Sequence, residues 1–195
     1  KRYVFWNDQA RGDDEQPTAE DMAFSLDEVA RVIRDEQPDV VLLQELDDGA
    51  KASGYQRQLK LLQERVADLY PCSTSAFDWK AEFIPLPQVF GSVGRQLATL
   101  SRYRIAHAER LQLPQAPGNL ISRQFQPKNA LLVSYLPLSD GGQLAVLNTH
   151  LERATDEQQT LQAQVGAIGK VVDKFESRGT PWLMGGDFNL LPLGQ

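Results

Sequence analysis

The pattern of apolar and polar positions along the chain predicts a domain in which strands and helices follow one another. Short apolar runs rich in β-branched or aromatic residues indicate strands. These predicted strands are residues 3–6, 40–43, 97–105, 130–136, 144–149 and 182–184. The turn-forming residues 139–142 predict a hairpin between the fourth and the fifth of them. This order of elements favours a mixed α/β layered domain.

Apolar residues three or four positions apart predict three helices, because that spacing places them on one helical face. Two capping boxes compete for the start of the first helix. Ser25 with Glu28 is the stronger prediction and Thr18 with Asp21 the weaker one. The three apolar stripes lie within residues 22–33, 55–69 and 161–175.

The third helix is predicted to begin at a capping box formed by Thr155 and Gln158 and to end at Gly179. Two segments contain several prolines and glycines and are predicted to be largely irregular: 72–95, before the predicted strand at 97–105, and 106–128, after it. No repeat or linker divides the chain. We therefore expect one domain spanning residues 1–195.

Composition narrows the possible functions. The chain has 195 residues, of which 42% are hydrophobic and 24% charged, as in ordinary globular domains. The net charge of -6 argues against a protein that coats duplex nucleic acid through phosphate neutralisation. Cys72 is the one cysteine, which excludes an intramolecular disulfide and argues against a cysteine-based zinc site. No apolar run approaches the roughly 20 residues of a membrane span.

Polar side chains follow four of the predicted strands and form the candidate chemistry. They are Asn7, Glu45, His150, Asp187 and Asn189. Each one alone has a structural explanation, such as a turn residue, a solvated strand end or a hydrogen-bonded histidine. Taken together, carboxylate and amide oxygens suit Mg²⁺ or Mn²⁺, and a nearby histidine can donate to a phosphoryl oxygen. The Gly-Gly pair before Asp187 is expected to let a ligand approach the backbone.

Five motifs in order carry a family resemblance. Pro-Asp-Val-Val-Leu-Leu-Gln-Glu at 38–45, Asn-Thr-His-Leu at 148–151 and Gly-Gly-Asp-Phe-Asn at 185–189 resemble the endonuclease/exonuclease/phosphatase superfamily, which includes the DNase I-like nucleases. Trp-Asn at 6–7 and Leu-Ser-Arg-Tyr at 100–103 resemble two further motifs of that superfamily. The resemblance implies a four-layer αββα sandwich of two mixed β-sheets flanked by helices.

The resemblance also implies Mg²⁺-dependent or Mn²⁺-dependent hydrolysis of a phosphoester. Glu45 would bind the metal, with Asn7 beside it. Asp187 would orient or deprotonate the attacking water, Asn189 would help to position it, and His150 would contact the phosphoryl oxygens. Family members carry a later aspartate and a terminal histidine motif. The chain stops at residue 195 without them, so we expect a C-terminally incomplete domain that lacks its last strands. Either the gene product continues, or this piece alone is inactive.

The substrate stays open between nucleic acid, a phospholipid headgroup and a small phosphate ester. Arg102, Arg123 and Asn129 are the candidate substrate contacts, although basic residues of this region can equally form an ordinary solvated surface. The alternative function is a non-catalytic binding module on the same scaffold, since a fold does not fix a function.

Three aromatic residues, Trp79, Phe83 and Phe90, fall in the segment predicted to be irregular. Their rings could stack on a base or touch a lipid surface. Packing beneath a long loop is the preferred interpretation.

Overall fold

The structure, a computed structural model, describes residues 18–85, 89–119, 122–152 and 158–190. The predicted strand at 3–6 and the capping residue Thr155 lie outside these ranges. The helices are α1 (Ala19–Glu36), α2 (Gln58–Val66), α3 (Ser122–Phe125) and α4 (Gln158–Ser177), with a 3₁₀ turn at Lys51–Ser53. The strands are β1 (Val40–Asp47), β2 (Cys72–Ile84), β3 (Gly91–Ser101), β4 (His107–Gln112), β5 (Ala130–Pro137), β6 (Gln143–His150) and β7 (Trp182–Asp187).

The described strands form two sheets, and the helices cover their outer faces. One sheet has the order β1-β3-β2 and is antiparallel, whereas the other has the order β4-β5-β6-β7 and ends in a parallel β6–β7 pair. Helices α1 and α2 pack on the three-stranded sheet through a core that includes Ile33, Leu62 and Leu100. Helix α4 packs on the four-stranded sheet through Ile168 and Phe175. The predicted four-layer αββα sandwich is confirmed.

The apolar cluster between the two sheets is smaller than the cores beneath the helices, and polar side chains lie beside it. The cluster contains Ala76, Leu97 and Leu132. Beside it, the hydroxyl groups of Thr74 and Ser134, one from each sheet, form a hydrogen bond of 2.7 Å. Because polar groups in this interface are paired across it, the hydrogen bonds fix how the two sheets sit on each other.

Two segments that we predicted to be irregular contain strands. The segment 72–95 contains β2 and the start of β3, and the segment 106–128 contains β4. Strand β2 is exposed on one face, and its polar residues mask the alternation of apolar and polar positions that would identify a strand. Strand β4 is an edge strand whose residues are almost all exposed, so it lacks an apolar signal. The strand predicted at 97–105 begins at Gly91 and ends at Ser101.

Helix α1 begins at the earlier of the two candidate capping boxes and not at the preferred one. Thr18 is the N-cap: its hydroxyl accepts from the backbone N–H of Asp21, and the Asp21 carboxylate accepts from Thr18 in return. Ser25 lies inside the helix, where its hydroxyl donates to the Asp21 carbonyl. The helix end at Gly179 is confirmed, with a φ of 64°. None of the described helices is long and apolar enough to cross a membrane.

Candidate active site

Two β-bulges place carboxylates on either side of the central strand β3. In β1 the register shifts between Leu43 and Leu46, so that Glu45 lies in the bulge with a φ of 57°. In β2 the register shifts between Phe77 and Trp79, which makes Asp78 the extra residue. Because a bulge re-aims its side chains, both carboxylates can turn toward the same residue of β3.

That residue is Arg95, which holds the two carboxylates together. Its Nη2 lies 2.9 Å from Oδ2 of Asp78, and its Nε donates to the same oxygen at 3.0 Å. Its Nη1 lies 3.4 Å from Oε1 of Glu45. Asp78 is fully buried, whereas the Glu45 side chain is 58% exposed. Arg95 therefore compensates a buried charge and leaves a second carboxylate open to solvent.

His150 comes from the other sheet and sits between carboxylates. Its Nδ1 lies 3.7 Å from Oδ2 of Asp78 and 4.0 Å from Oε1 of Glu45, and its Nε2 lies 3.9 Å from Oδ2 of Asp187. The ring is buried, and Nδ1 has no hydrogen-bond partner among the described residues. The carboxylate oxygen nearest to Nδ1 is Oδ2 of Asp78. A proton on Nδ1 would therefore point to Asp78, and Nε2 would face Asp187.

Asp187 ends β7 directly beside His150, because β6 and β7 are parallel and these two residues are paired in register. One carboxylate oxygen of Asp187 accepts from the backbone N–H of Asn189, and the other faces the imidazole. Asn189 has a φ of 49°, and its side chain donates to the carbonyl of Leu151 at 2.8 Å. This turn leaves one oxygen of Asp187 free of the local backbone.

The Gly-Gly pair serves the packing of strands and sheets rather than the approach of a ligand that we expected. A Cβ on Gly185 would lie 2.9 Å from a methyl carbon of Leu42 in the facing sheet. A Cβ on Gly186, whose φ is 147°, would lie 2.0 Å from the carbonyl oxygen of Thr149 on the neighbouring strand. Gly186 needs glycine because the backbone of Thr149 occupies the space, whereas at Gly185 the Leu42 side chain would have to shift.

The structure thus brings together Glu45, His150, Asp187 and Asn189. Asn7 lies outside the described residues. Asn129 lies next to the site and holds the backbone of His150, since its buried amide donates to the carbonyl of His150 at 2.8 Å. It is therefore placed as a positioning residue rather than as a substrate contact.

The two predicted arginines are placed elsewhere. Arg102 follows the opposite end of β3 from Arg95, and its Nη1 lies 3.3 Å from the carbonyl of Gln37. Arg123 lies exposed on α3. None of the described ion pairs or hydrogen bonds joins either arginine to the cluster around His150.

Sequence reasoning missed Asp78 and did not single out Arg95 from the other basic residues of its region. Both lie where we predicted irregular structure, and a bulge has no period that a sequence pattern could reveal. The one available signal was the pair itself, since a charged residue within a strand needs a partner when it is buried. Asp47, two residues after Glu45, was also missed. Burial raises the pKa of its carboxyl above the ordinary value, partly offset by a hydrogen bond with Ser53 and by the charge of Arg95.

The donors fit a hard divalent cation that keeps most of its water. Arg95 pairs with Glu45 and Asp78 and interacts with Asp47, while Asp187 faces His150, so carboxylates outnumber the single guanidinium of the cluster. Within the described ranges, no three histidine, cysteine or acidic side chains converge on one point as in a complete protein cage. Mg²⁺ commonly binds through only one or two carboxylates together with substrate and water oxygens, and the exposed Glu45 can supply such a ligand.

Known structures with this architecture are numerous. An endonuclease/exonuclease/phosphatase from Beutenbergia cavernae DSM 12333 matches with a TM-score of 0.64 and 23% identity, over 85% of this chain and 42% of its own. Truncated TDP2 from Caenorhabditis elegans matches with a TM-score of 0.60 and 20% identity, over 89% and 58%. The human Nocturnin catalytic domain with bound sulfate matches with a TM-score of 0.58 and 19% identity, over 89% and 58%.

These likenesses establish the fold, and the chain spans about half the length of the structures it matches. No curated protein matches the chain. The sequence pattern of one family, however, covers residues 6–193, which is nearly all of it. Since that match and the sandwich agree with the motifs that meet around His150, the chain belongs to the Endonuclease/Exonuclease/phosphatase family.

Proposed function

We propose that this protein hydrolyses a phosphoester with the help of Mg²⁺ or Mn²⁺. The family consists of phosphoester hydrolases, and the metal dependence and the residue roles are the proposal. The observation that carries it is His150, whose two ring nitrogens face carboxylates from different sheets. A buried histidine between a buried aspartate and a half-exposed one is suited to proton transfer and to donation at a phosphoryl oxygen.

Glu45, together with Asn7, would hold the metal. When bound, the cation supplies positive charge that neutralises the phosphoryl oxygens. Asp78 orients the His150 ring through the side of Nδ1, so that Nε2 can donate to the phosphate. Asp187, with one oxygen free of the local backbone, takes the proton of the attacking water. Asn189 keeps the Asp187 turn in place and helps to position the water.

Nucleic acid is the substrate class we favour. The TDP2 of D. rerio, a structural neighbour with a TM-score of 0.54, was captured with a single strand DNA product. A phospholipid headgroup and a small phosphate ester are the competing substrates. A non-catalytic binding module is the competing function, and it would bind a phosphoester without releasing product.

The test is hydrolysis of bis-p-nitrophenyl phosphate with Mg²⁺, with Mn²⁺ and with EDTA. Asp187→Asn should lower turnover about a hundredfold or more while metal affinity, measured by calorimetry, stays close to that of the parent protein. Glu45→Gln should weaken metal binding and activity together. The exposed Asp173→Asn on α4 is the matched control. Turnover that survives in EDTA, or in Asp187→Asn, would refute these roles.

A further inference from the structure

Two exposed aromatic rings contact each other at one end of the three-stranded sheet. Phe83, near the end of β2, and Phe90, directly before β3, are 50% and 60% exposed and pack edge to face with ring centres 5.3 Å apart. Tyr55, 62% exposed, follows the 3₁₀ turn that carries Lys51, and its backbone N–H donates to the carbonyl of Ala50. We call Lys51, Tyr55, Phe83 and Phe90 the aromatic tip.

Two of these aromatic residues adopt a backbone conformation that bulky side chains rarely take. Tyr55 has a φ of 64° and Phe90 a φ of 34°. The other described non-glycine residues with positive φ are Gln37, which caps α1, and the active-site residues Glu45 and Asn189. A left-handed backbone costs free energy, and exposed rings do not recover it by burial. Strain of this kind points to a functional use for the exposed rings.

Lys51 attaches a fixed positive charge to the tip. Its Nζ donates to the carbonyl of Phe90 at 2.9 Å and lies 5.9 Å from the centre of the Phe90 ring. Its aliphatic stem fills the space beside Gly91, where a Cβ would come within 2.5 Å of it. The ammonium group is thereby held next to an exposed ring face and keeps donors for a further anion.

A polar cavity of about 250 Å³ lies further along the same sheet, between α2 and the start of β2. Arg57 and Lys60 line it together with the hydroxyl-bearing Ser73 and Ser75 of β2. The side chains of Arg57 and Lys60 are 68% and 63% exposed. Arg57 pairs with Asp48 at 3.2 Å, and Lys60 pairs with Glu64 at 3.8 Å. Cations and hydroxyl donors around a shallow cavity suit the oxygens of a phosphate.

The aromatic tip lies at the same end of the sheet as the catalytic cluster. Arg95 is four residues after Gly91 on β3, and Lys51 follows β1 shortly after Glu45. The loop after β1 is tied to β3, because the N–H of Asp48 donates to the carbonyl of Gly94 and Ser92 donates to the carbonyl of Gly49. A ligand on the tip would therefore adjoin the cluster.

We propose that the aromatic tip binds single-stranded nucleic acid. Unpaired bases stack on its exposed rings, while Lys51 contacts a backbone phosphate. Exposed rings interleaved with cations are the recurrent means of binding single strands without sequence preference. A lipid surface fits less well, since the acidic Glu82 directly precedes Phe83. That the bound strand is also the substrate rests on the proposed function, whereas the binding does not.

The experiment is fluorescence anisotropy with a labelled oligothymidylate, in EDTA so that no turnover is needed. Phe83→Ala and Lys51→Met should each weaken binding about tenfold, and raised salt should weaken it further. Tyr103→Ala is the matched control, because Tyr103 is 55% exposed and follows the opposite end of β3. Circular dichroism and thermal melting establish that the variants fold. Binding in EDTA together with failed hydrolysis would support this surface while refuting the proposed catalysis.

Three results would overturn the proposal. The first is an equal loss of affinity in Phe83→Ala and Tyr103→Ala. The second is equal affinity for the oligonucleotide and for its perfect duplex, because stacking requires unpaired bases. The third is binding to phosphatidylserine vesicles with none to the oligonucleotide, which would assign the tip to a membrane surface.

Discussion

The two sheets contribute to the active site in opposite ways. The three-stranded sheet departs from regular pairing at Glu45 and Asp78 and so places charges within the sheet. In the four-stranded sheet the registers run without a shift, and His150 and Asp187 come at the ends of regular strands. A regular ladder fixes the end of a strand, whereas a bulge is needed to bring a charged group out of the middle of one.

The sheets also differ in how the outer helices are attached. Helices α1 and α2 are joined by ion pairs as well as apolar contacts, with Arg34 of α1 bound to Asp68 and Arg65 of α2 bound to Asp27. Helix α4 packs on its sheet through an apolar core around Leu161, Ile168 and Phe175, and its buried Gln164 hydrogen-bonds to the backbone of Glu152 and Pro114. The irregular sheet thus depends on charge pairing at its centre and on its surface, and the regular sheet depends mainly on packing.

Removing the buried charge of the irregular sheet should have the largest effect on stability. Asp78→Ala leaves the guanidinium of Arg95 without its buried partner, which should lower the free energy of unfolding by about 3–5 kcal/mol. Urea denaturation at pH 7 measures the change. Asp173→Ala on the exposed face of α4 is the control and should stay within about 0.5 kcal/mol. A loss for Asp78→Ala as small as for the control would mean that Arg95 does not depend on it.

Cutting the hydrogen bonds between the sheets should have an intermediate effect. The buried Asn148 side chain donates to the carbonyls of Leu43 at 3.1 Å and Ala98 at 2.8 Å and accepts from Gln44 at 2.8 Å. Asn148→Ala leaves those groups unpaired, and we expect a loss of about 2 kcal/mol in urea denaturation.

Ser134→Ala provides the comparison within the same interface. It removes the single hydroxyl bond to Thr74, so its cost should be nearer to about 1 kcal/mol. If the two variants lose the same stability, Asn148 has no special part in joining the sheets.

The smallest effect is expected at the helix surface above the irregular sheet. Arg34 donates to Asp68 at 2.9 Å and lowers the pKa of its carboxyl below the ordinary value of 3.8. A lowered pKa in the fold means that the stabilisation is present above 3.8 and is lost as the pH falls through the lowered value. Asp68→Asn should lower the Tm by about 1–2 °C at pH 7 and leave it unchanged at a pH below the lowered pKa.

The same pair gives a salt control. Because both side chains are exposed, 1 M NaCl should remove the Tm difference at pH 7. A difference that persists in high salt would show that the contact of Arg34 with the carbonyl of Arg65, rather than its charge, attaches the two helices.

The sequence by itself determined the apolar strands and stripes, the hairpin of β5 and β6, and four polar residues following apolar runs that meet in the site. These features follow from local periods of two or about 3.6 residues, which burial on one face imposes. It left β2 and β4 unseen, because β4 is almost fully exposed and β2 is exposed on one face, so polar residues interrupt the apolar pattern of both. Only the tertiary structure decided that Asp78 and Arg95 join His150 and that Arg102 does not. A bulge changes the direction of a side chain through pairing with a distant strand, and no local pattern records that pairing.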